Sequence, residues 1–291
     1  MKPAPFRYIA ATSLAQALAL KAEHGDEAKF LAGGQSLMPT MNFRLSRPAV
    51  LIDINGLDQL AGVHHGEGTM RIGALTRYRA LERDVTIAAT FPLISEALPE
   101  IAHPQIRNRG TLGGNLCHAD PASEMPAIMV AFSARLRVQS AAGERWIAAR
   151  DFFRGGLTTD LADDEMLVEI ELPAPPLRTG CCFMEIARRR GDFAIAGAAA
   201  TVTLDDDGRC VGARLVFCGV GDMPVDARAA VESLTGRTVS DDAIAEVAAA
   251  AQNMIDPPGS VHATAAYQRH VAGVLAERAL ATATARARHG N

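Results

Sequence analysis

Two short segments, each built around adjacent glycines, limit most strongly what this chain of 291 residues can become. Leu31–Met38 reads LAGGQSLM, and Thr111–Glu124 reads TLGGNLCHADPASE. Paired glycines admit backbone conformations and close approaches that other residues resist, and successive N–H groups form an anion-binding concavity. Amides and hydroxyls accompany both pairs: Gln35 and Ser36 follow the first, while Thr111 and Asn115 flank the second. Neither segment fits G-x-G-x-x-G or G-x-x-x-x-G-K-[ST], so the Rossmann and P-loop patterns are missing. Two glycine loops with polar donors can instead clamp a diphosphate from both sides. For either loop alone, a plain tight turn is the competing explanation. No apolar period runs through Thr111–Glu124, which is therefore expected to be a loop feeding a helix over Pro126–Phe132.

The chain is 48% hydrophobic, enough at this length for substantial cores and two domains. A net charge of −4 and a pI near 6.1 argue against a nucleic-acid or anionic-membrane partner. No apolar run reaches the roughly 18 residues of a membrane span, and the opening MKPAPFRYIA lacks the apolar core of a signal peptide. A cytoplasmic protein is expected. Cys117, Cys181, Cys182, Cys210 and Cys218 form no C-x-x-C pair, and the adjacent two would point to opposite sides of a strand. Buried free thiols are expected rather than a four-thiolate iron–sulfur or zinc site.

Along the chain, Ser13 suits the N-cap of a helix reaching His24, with Leu14, Ala17 and Leu18 on one stripe and Gly25 as the stop. Ala28–Leu31 reads as a short strand and Val50–Ile54 as a buried one, an α/β arrangement. Gly62–Ile72 predicts a hairpin whose HHGEGT turn holds His64 and His65, exposed rather than metal-binding. Thr76 is expected to cap a helix through Arg83, and Pro92–Leu98 to form another. Arg135–Gln139 and Arg145–Ala149 predict strands around Ala141–Glu144, and Asp163–Leu172 ends in a strand carrying Leu167. Pro173-Ala174-Pro175-Pro176 is the clearest linker. Three strands follow at Cys182–Ala187, Ala196–Leu204 and Cys210–Cys218, the last two joined by a hairpin at Asp205–Gly208. Helices are predicted over Val225–Leu234, Asp241–Ala251 and Thr264–Ala283, with Tyr267, Val271, Val274 and Leu275 on one face of the last. The tail Ala281–Asn291 is expected to fray at its end.

The glycine segments, in this order and at this separation, resemble those of the flavoprotein (medium) subunit of molybdenum hydroxylases, of the carbon monoxide dehydrogenase and xanthine dehydrogenase type. The likeness extends from PFRYIAATSLAQAL through AGGQSL, TLGGN and RRRGDFA to the C-terminal helices. It implies an α+β protein: a FAD-binding domain of the vanillyl-alcohol-oxidase/PCMH type over residues 1–176, made of two α/β subdomains of about 1–56 and 57–176, then a smaller α+β domain over 177–291 with a three-stranded sheet and helices. By that correspondence Ala32, Gly33, Gly34, Gln35, Ser36 and Leu37 form one cradle for the FAD pyrophosphate. Thr111, Gly113, Gly114 and Asn115 form the other. Glu124 falls where a carboxylate contacts the cofactor, Asp120 is a nearby acceptor, and Leu167 matches an apolar contact. Phe193 takes the aromatic position that lies against the isoalloxazine ring in relatives. Many of them carry Tyr there, and some carry Lys where this chain has Glu185, so a hydroxyl and a cation near the ring do not transfer.

The resemblance further implies partners: an iron–sulfur small subunit with two [2Fe-2S] clusters and a large subunit with the molybdopterin cofactor, in a heterotrimer or its dimer. Electrons would pass from those clusters through FAD to NAD, oxygen or a quinone. No catalytic residue and no metal ligand are expected in this chain. Two alternatives stand beside this expectation. One is a self-contained FAD-dependent oxidoreductase of the same superfamily, which predicts turnover by the isolated chain. The other is a non-enzymatic binding or assembly protein, which predicts no flavin at all.

Overall fold

The computed structural model describes residues 2–289, so Gly290 and Asn291 of the tail lie outside the described residues. The chain opens with β1 (Arg7–Ala10), α1 (Leu14–His24), β2 (Ala28–Leu31), α2 (Leu37–Asn42) and β3 (Val50–Asp53). Ser13 caps α1 by accepting a hydrogen bond from the Gln16 N–H, and Gly25 ends it at φ 52°. The strands form a parallel sheet in the order β1-β3-β2. Its core joins Ala17, Leu18, Val50 and Ile52 to Leu60, Leu75, Met166 and Val168 from further along the chain. The first sheet is thereby fixed to the second.

The second unit begins with the hairpin β4 (Val63–Gly66) and β5 (Thr69–Gly73). His64 and His65 are exposed on β4 itself, opposite Arg71 and Met70, and the turn is Glu67-Gly68. Four short helices follow: α3 (Tyr78–Leu81), α4 (Val85–Thr90), α5 (Pro92–Ala97) and α6 (Pro104–Arg107). Thr76 does not cap α3. Its hydroxyl is buried and bonds both the N–H and the carbonyl of Gly62, so tertiary contact wins over the local cap. The chain continues through α7 (Leu112–His118), α8 (Glu124–Ala131), β6 (Arg135–Ser140), β7 (Gly143–Ala148), α9 (Ala149–Phe152), the small pair β8 (Phe153–Gly155) and β9 (Thr158–Thr159), and β10 (Met166–Pro173). The resulting sheet, β4-β5-β10-β6-β7, is antiparallel throughout.

After the prolines come β11 (Thr179–Ala187), β12 (Ala194–Leu204), β13 (Cys210–Cys218), β14 (Val225–Asp226), α10 (Arg228–Val231), α11 (Asp241–Gln252) and α12 (Ala265–His289). The expected three strands gain a fourth, because Val225 and Asp226 pair with Phe217 and Val216 before the helix begins. This sheet is covered on both faces, which explains the nearly unbroken buried run AIAGAAATVTL of β12. Cys181, Phe183, Val216 and Cys218 face the core that contains α5 and α8, while Cys182, Ala198, Leu215 and Phe217 face α11 and α12. The adjacent cysteines do point to opposite sides. In α12, Val271 and Leu275 are buried, whereas Tyr267 is 46% exposed and leaves the stripe expected to include it. Ala281–His289 of the tail continue α12, with Ala283 and Ala287 buried against the sheet, and the end expected to fray, Gly290 and Asn291, lies outside the described residues. Arg286 reaches the Glu96 carboxylate and the Cys181 carbonyl, and Glu96 also accepts from the Phe183 N–H at 2.7 Å. This knot ties α12, β11 and α5 together.

Candidate functional site

β2 delivers the chain into Ala32-Gly33-Gly34, where Gly34 adopts φ 72°. The turn leads into α2, whose first residue is Leu37. The N–H groups of Gly33, Gly34, Gln35, Ser36 and Leu37 meet no acceptor among the described residues. The loop is held from behind. Asn55 donates to the Leu31 and Ala32 carbonyls at 3.1 and 2.8 Å. Arg77 in turn donates to Asn55 Oδ1 at 2.5 Å and to the Arg109 carbonyl, joining the first glycine segment to the approach of the second.

The second segment opens with a helix, α7, where a loop was expected, and only residues 119–123 are irregular. Thr111 caps α7, its Oγ1 accepting from the Gly114 N–H at 3.1 Å. The N–H groups of Leu112, Gly113 and Asn115 bond the carbonyls of Thr76, Ala74 and Thr111. Its glycine amides are therefore already engaged, and they do not form the free concavity expected from the sequence. Gly113 serves packing instead: a Cβ there would lie 2.6 Å from Ala74 Cβ. Ala119 ends α7 in the left-handed region at φ 50°. Asp120 then accepts from the Ala122 N–H at 2.9 Å, and Asn115 donates to Ser123 Oγ at 3.0 Å. The Asn115 Oδ1 is buried without a partner.

All the residues expected at the site border one cavity of about 1030 Å³. Ala32, Gly33, Gly34, Gln35, Ser36 and Leu37 form one wall, and Thr111, Gly113, Gly114, Asn115, Asp120 and Glu124 form the facing one. Leu167 enters from β10, buried, and Phe193 stands at the rim, 71% exposed. The volume is at the upper end of the about 300–1,000 Å³ usual for small-molecule sites, in keeping with an extended dinucleotide. The lining also includes Lys29, Phe30, Leu45, Arg188, Ile195 and His262. Arg188 is paired with Asp192 at 3.1 Å, an ion pair within the RRRGDFA turn.

Several lining residues carried no signal in the sequence. Tyr78 is 3% exposed, and its hydroxyl reaches no partner. It looks like an ordinary core aromatic in a helical pattern. Burial, and then Glu124, push its hydroxyl pKa well above the usual value. His262 arrives from the loop before α12, far away in sequence. Cys117, half-buried beside Leu167, has its thiol pushed up to about 12 by desolvation. Glu124 is 5% exposed, and its carboxyl is pushed up to about 7, chiefly by burial, with Asp120 and Glu100 adding to it. Among the described residues no group of three His, Cys, Asp or Glu side chains could hold a metal ion, and no helix is long and apolar enough to cross a membrane.

These features fit a cofactor with a diphosphate. The five unspent amides can meet phosphate oxygens without a cation, and the buried orphans Tyr78 Oη and Asn115 Oδ1 offer a donor and an acceptor to a polar ligand.

The family model of the FAD-binding domain in molybdopterin dehydrogenase matches residues 4–175, and that of the carbon monoxide dehydrogenase flavoprotein C-terminal domain matches residues 181–283. The alpha subunit of the 6-hydroxypseudooxynicotine dehydrogenase complex of Paenarthrobacter nicotinovorans is 44% identical over 99% of this chain and 97% of its own. Caffeine dehydrogenase subunit beta of a Pseudomonas species is 42% identical over 99% and 98%. Among solved structures, carbon monoxide dehydrogenase of Hydrogenophaga pseudoflava superposes with a TM-score of 0.95 at 36% identity, covering 98% of this chain and 99% of that one. With both models matched in order and relatives similar along their full length, the chain belongs to the family of medium, FAD-binding flavoprotein subunits of molybdenum hydroxylases.

Proposed function

We propose that the cavity holds FAD along its length and that this chain is the electron-transfer subunit of a molybdenum-containing hydroxylase or dehydrogenase complex. The observation that carries this is the row of free amides from Gly33 to Leu37 in the wall of a 1030 Å³ cavity. In this reading Ala32–Leu37 take the pyrophosphate. The second segment contributes shape and side chains rather than amides: Thr111 and Gly113 hold α7 in place, Gly114 leaves room, and Asn115, Asp120 and Glu124 offer polar groups. Leu167 gives apolar contact, and Phe193 covers the ring at the rim. Bound FAD supplies the redox chemistry, accepting electrons from [2Fe-2S] clusters on a small subunit and passing them to an external acceptor. The molybdopterin cofactor and the substrate pocket belong to a large subunit. The assembly is a cytoplasmic heterotrimer or its dimer. Within this chain, the boundary between the FAD-binding domain and the C-terminal domain falls at the prolines near residue 176.

The test is the absorbance spectrum of the purified chain, followed by acid release and chromatography of the chromophore. FAD at near-equal stoichiometry without iron–sulfur absorption is expected. A chain that remains colourless with excess FAD would remove the proposal.

A further inference from the structure

The free amides of Gly33–Leu37 belong to a glycine turn, and glycine loses more conformational freedom on ordering than any other residue. A ligand that had to order the turn itself would bind more weakly for it. The fold orders it beforehand, through the carbonyls of the same peptide units. The Ala32 carbonyl accepts from Asn55 Nδ2 at 2.8 Å and the Gly33 carbonyl from Gln35 Nε2 at 3.0 Å. The Gly34 and Ser36 carbonyls accept from the Met38 and Thr40 N–H groups, each at 3.1 Å. Four peptide units are thus bonded at the carbonyl, and their N–H groups, on Gly33, Gly34, Gln35 and Leu37, meet no acceptor among the described residues. A bonded carbonyl polarises its unit and strengthens the N–H as a donor.

Of these contacts, the one from Asn55 comes from outside the turn and α2. Asn55 follows β3, and its amide has one workable orientation. Nδ2 faces three acceptors: the Leu31 carbonyl at 3.1 Å, the Ala32 carbonyl at 2.8 Å and Asp53 Oδ1 at 2.6 Å. Oδ1 accepts from Arg77 Nη2 at 2.5 Å. A flipped amide would set oxygen against three acceptors and nitrogen against a guanidinium. Tyr8 holds the other Asp53 oxygen at 2.5 Å, anchoring that carboxylate between β1 and β3. Arg77 therefore fixes how Asn55 points. Its Nη1 donates to the Arg109 carbonyl, on which Gly33 rests, and its backbone bridges Thr111, the N-cap of α7. One planar, rigid fork spans the supports of both cavity walls. Neither Asn55 nor Arg77 borders the cavity itself.

We propose that Asn55 and Arg77 are positioning residues for the diphosphate of the bound cofactor. This rests on the cavity being the FAD site. Arg77 orients the Asn55 amide, and Asn55 holds the Ala32–Gly33 peptide unit so that its N–H begins an ordered row of donors. The pair acts through the turn, without touching the ligand. Its effect falls on the phosphates, because the row it holds is the part of the wall that suits an anion.

Titration of the full, flavin-stripped chain with FAD, followed by flavin fluorescence, reads the affinity, and phosphorus NMR of the FAD-loaded chain reads the diphosphate directly. Asn55→Ala and Arg77→Lys are each expected to weaken FAD binding roughly tenfold, the equivalent of about one hydrogen bond to a charged group. Arg77→Lys keeps the charge and loses the fork. In both variants the phosphorus resonances of bound FAD are expected to move toward those of free FAD. Wild-type affinity in either variant overturns the positioning role alone. So does weaker binding with the phosphorus resonances unmoved, which marks a general loosening of the fold. A wild-type chain that does not bind FAD overturns the reading of the cavity, and this proposal with it. Should Asn55→Ala not fold, Arg77→Lys decides by the same two readouts.

Discussion

A Cβ atom on Gly33 would come within 2.4 Å of the Arg109 carbonyl oxygen and 2.9 Å of the Gly110 Cα. The first glycine segment thus rests directly on the backbone that leads into the second. Gly33→Ala must push the two apart, at a cost of about 1–3 kcal/mol from overpacking. The expected outcome is a lower urea midpoint together with a lower FAD-to-protein ratio. An unchanged ratio would show that the cradle does not depend on this contact.

Thr111 bonds the Gly114 N–H and starts α7. Thr111→Ala is expected to lose about 1 kcal/mol of stability, and Thr111→Ser to keep most of it, since the Ser hydroxyl can cap in the same way. Equilibrium denaturation of the two variants side by side checks this.

Arg107 is 8% exposed and donates to Glu82 at 2.8 Å and to the Ile101 and Ala102 carbonyls at 2.9 Å each. Ile101 and Ala102 border the cavity. Removing one partner of a buried ion pair leaves the other uncompensated, so Arg107→Ala is expected to cost about 3–5 kcal/mol. A loss below about 1 kcal/mol would contradict the arrangement.

Burial of Glu124 and Glu185 makes stability fall with pH. Desolvation pushes Glu124 up to about 7 and Glu185 up to about 8 in the folded chain, above the ordinary glutamate value of 4.5. Between those limits the folded state binds more protons than the unfolded one, so unfolding becomes easier as pH rises. Glu185→Gln removes one such group. It is expected to flatten the decline between pH 5 and 8 and to be more stable than wild type at pH 8, by on the order of 1 kcal/mol or more. Urea titrations across that interval measure it.

Phe193 is 71% exposed and buries little surface of its own. Phe193→Ala is expected to change stability by less than about 0.5 kcal/mol. If the side chain covers the flavin, the same variant should show faster quenching of flavin fluorescence by iodide. Unaltered quenching would place the ring elsewhere.

Local chemistry made much of the framework legible. The Ser13 cap and the Gly25 stop bracket α1, and the strand patterns at Ala28–Leu31 and Cys210–Cys218 coincide with β2 and β13. These features depend on neighbours a few residues away. The sequence places Thr76 as a cap, whereas its hydroxyl bonds Gly62, 14 residues upstream. The local pattern runs Val225–Asp226 into a helix, whereas its strand partners, Phe217 and Val216, lie in a separate segment.

The glycines, amides and carboxylates of the two segments, and hence the type of ligand they suit, were determined by the sequence alone. Only the tertiary structure decided how they work. It spent the amides of α7 on Thr76, Ala74 and Thr111 and left those of Gly33–Leu37 free. It also carried Tyr78 and His262, from two distant parts of the chain, to the cavity. The reason is physical: residue type fixes what a group can donate or accept, whereas burial and partners, which follow from folding, fix whether it is still available to do so.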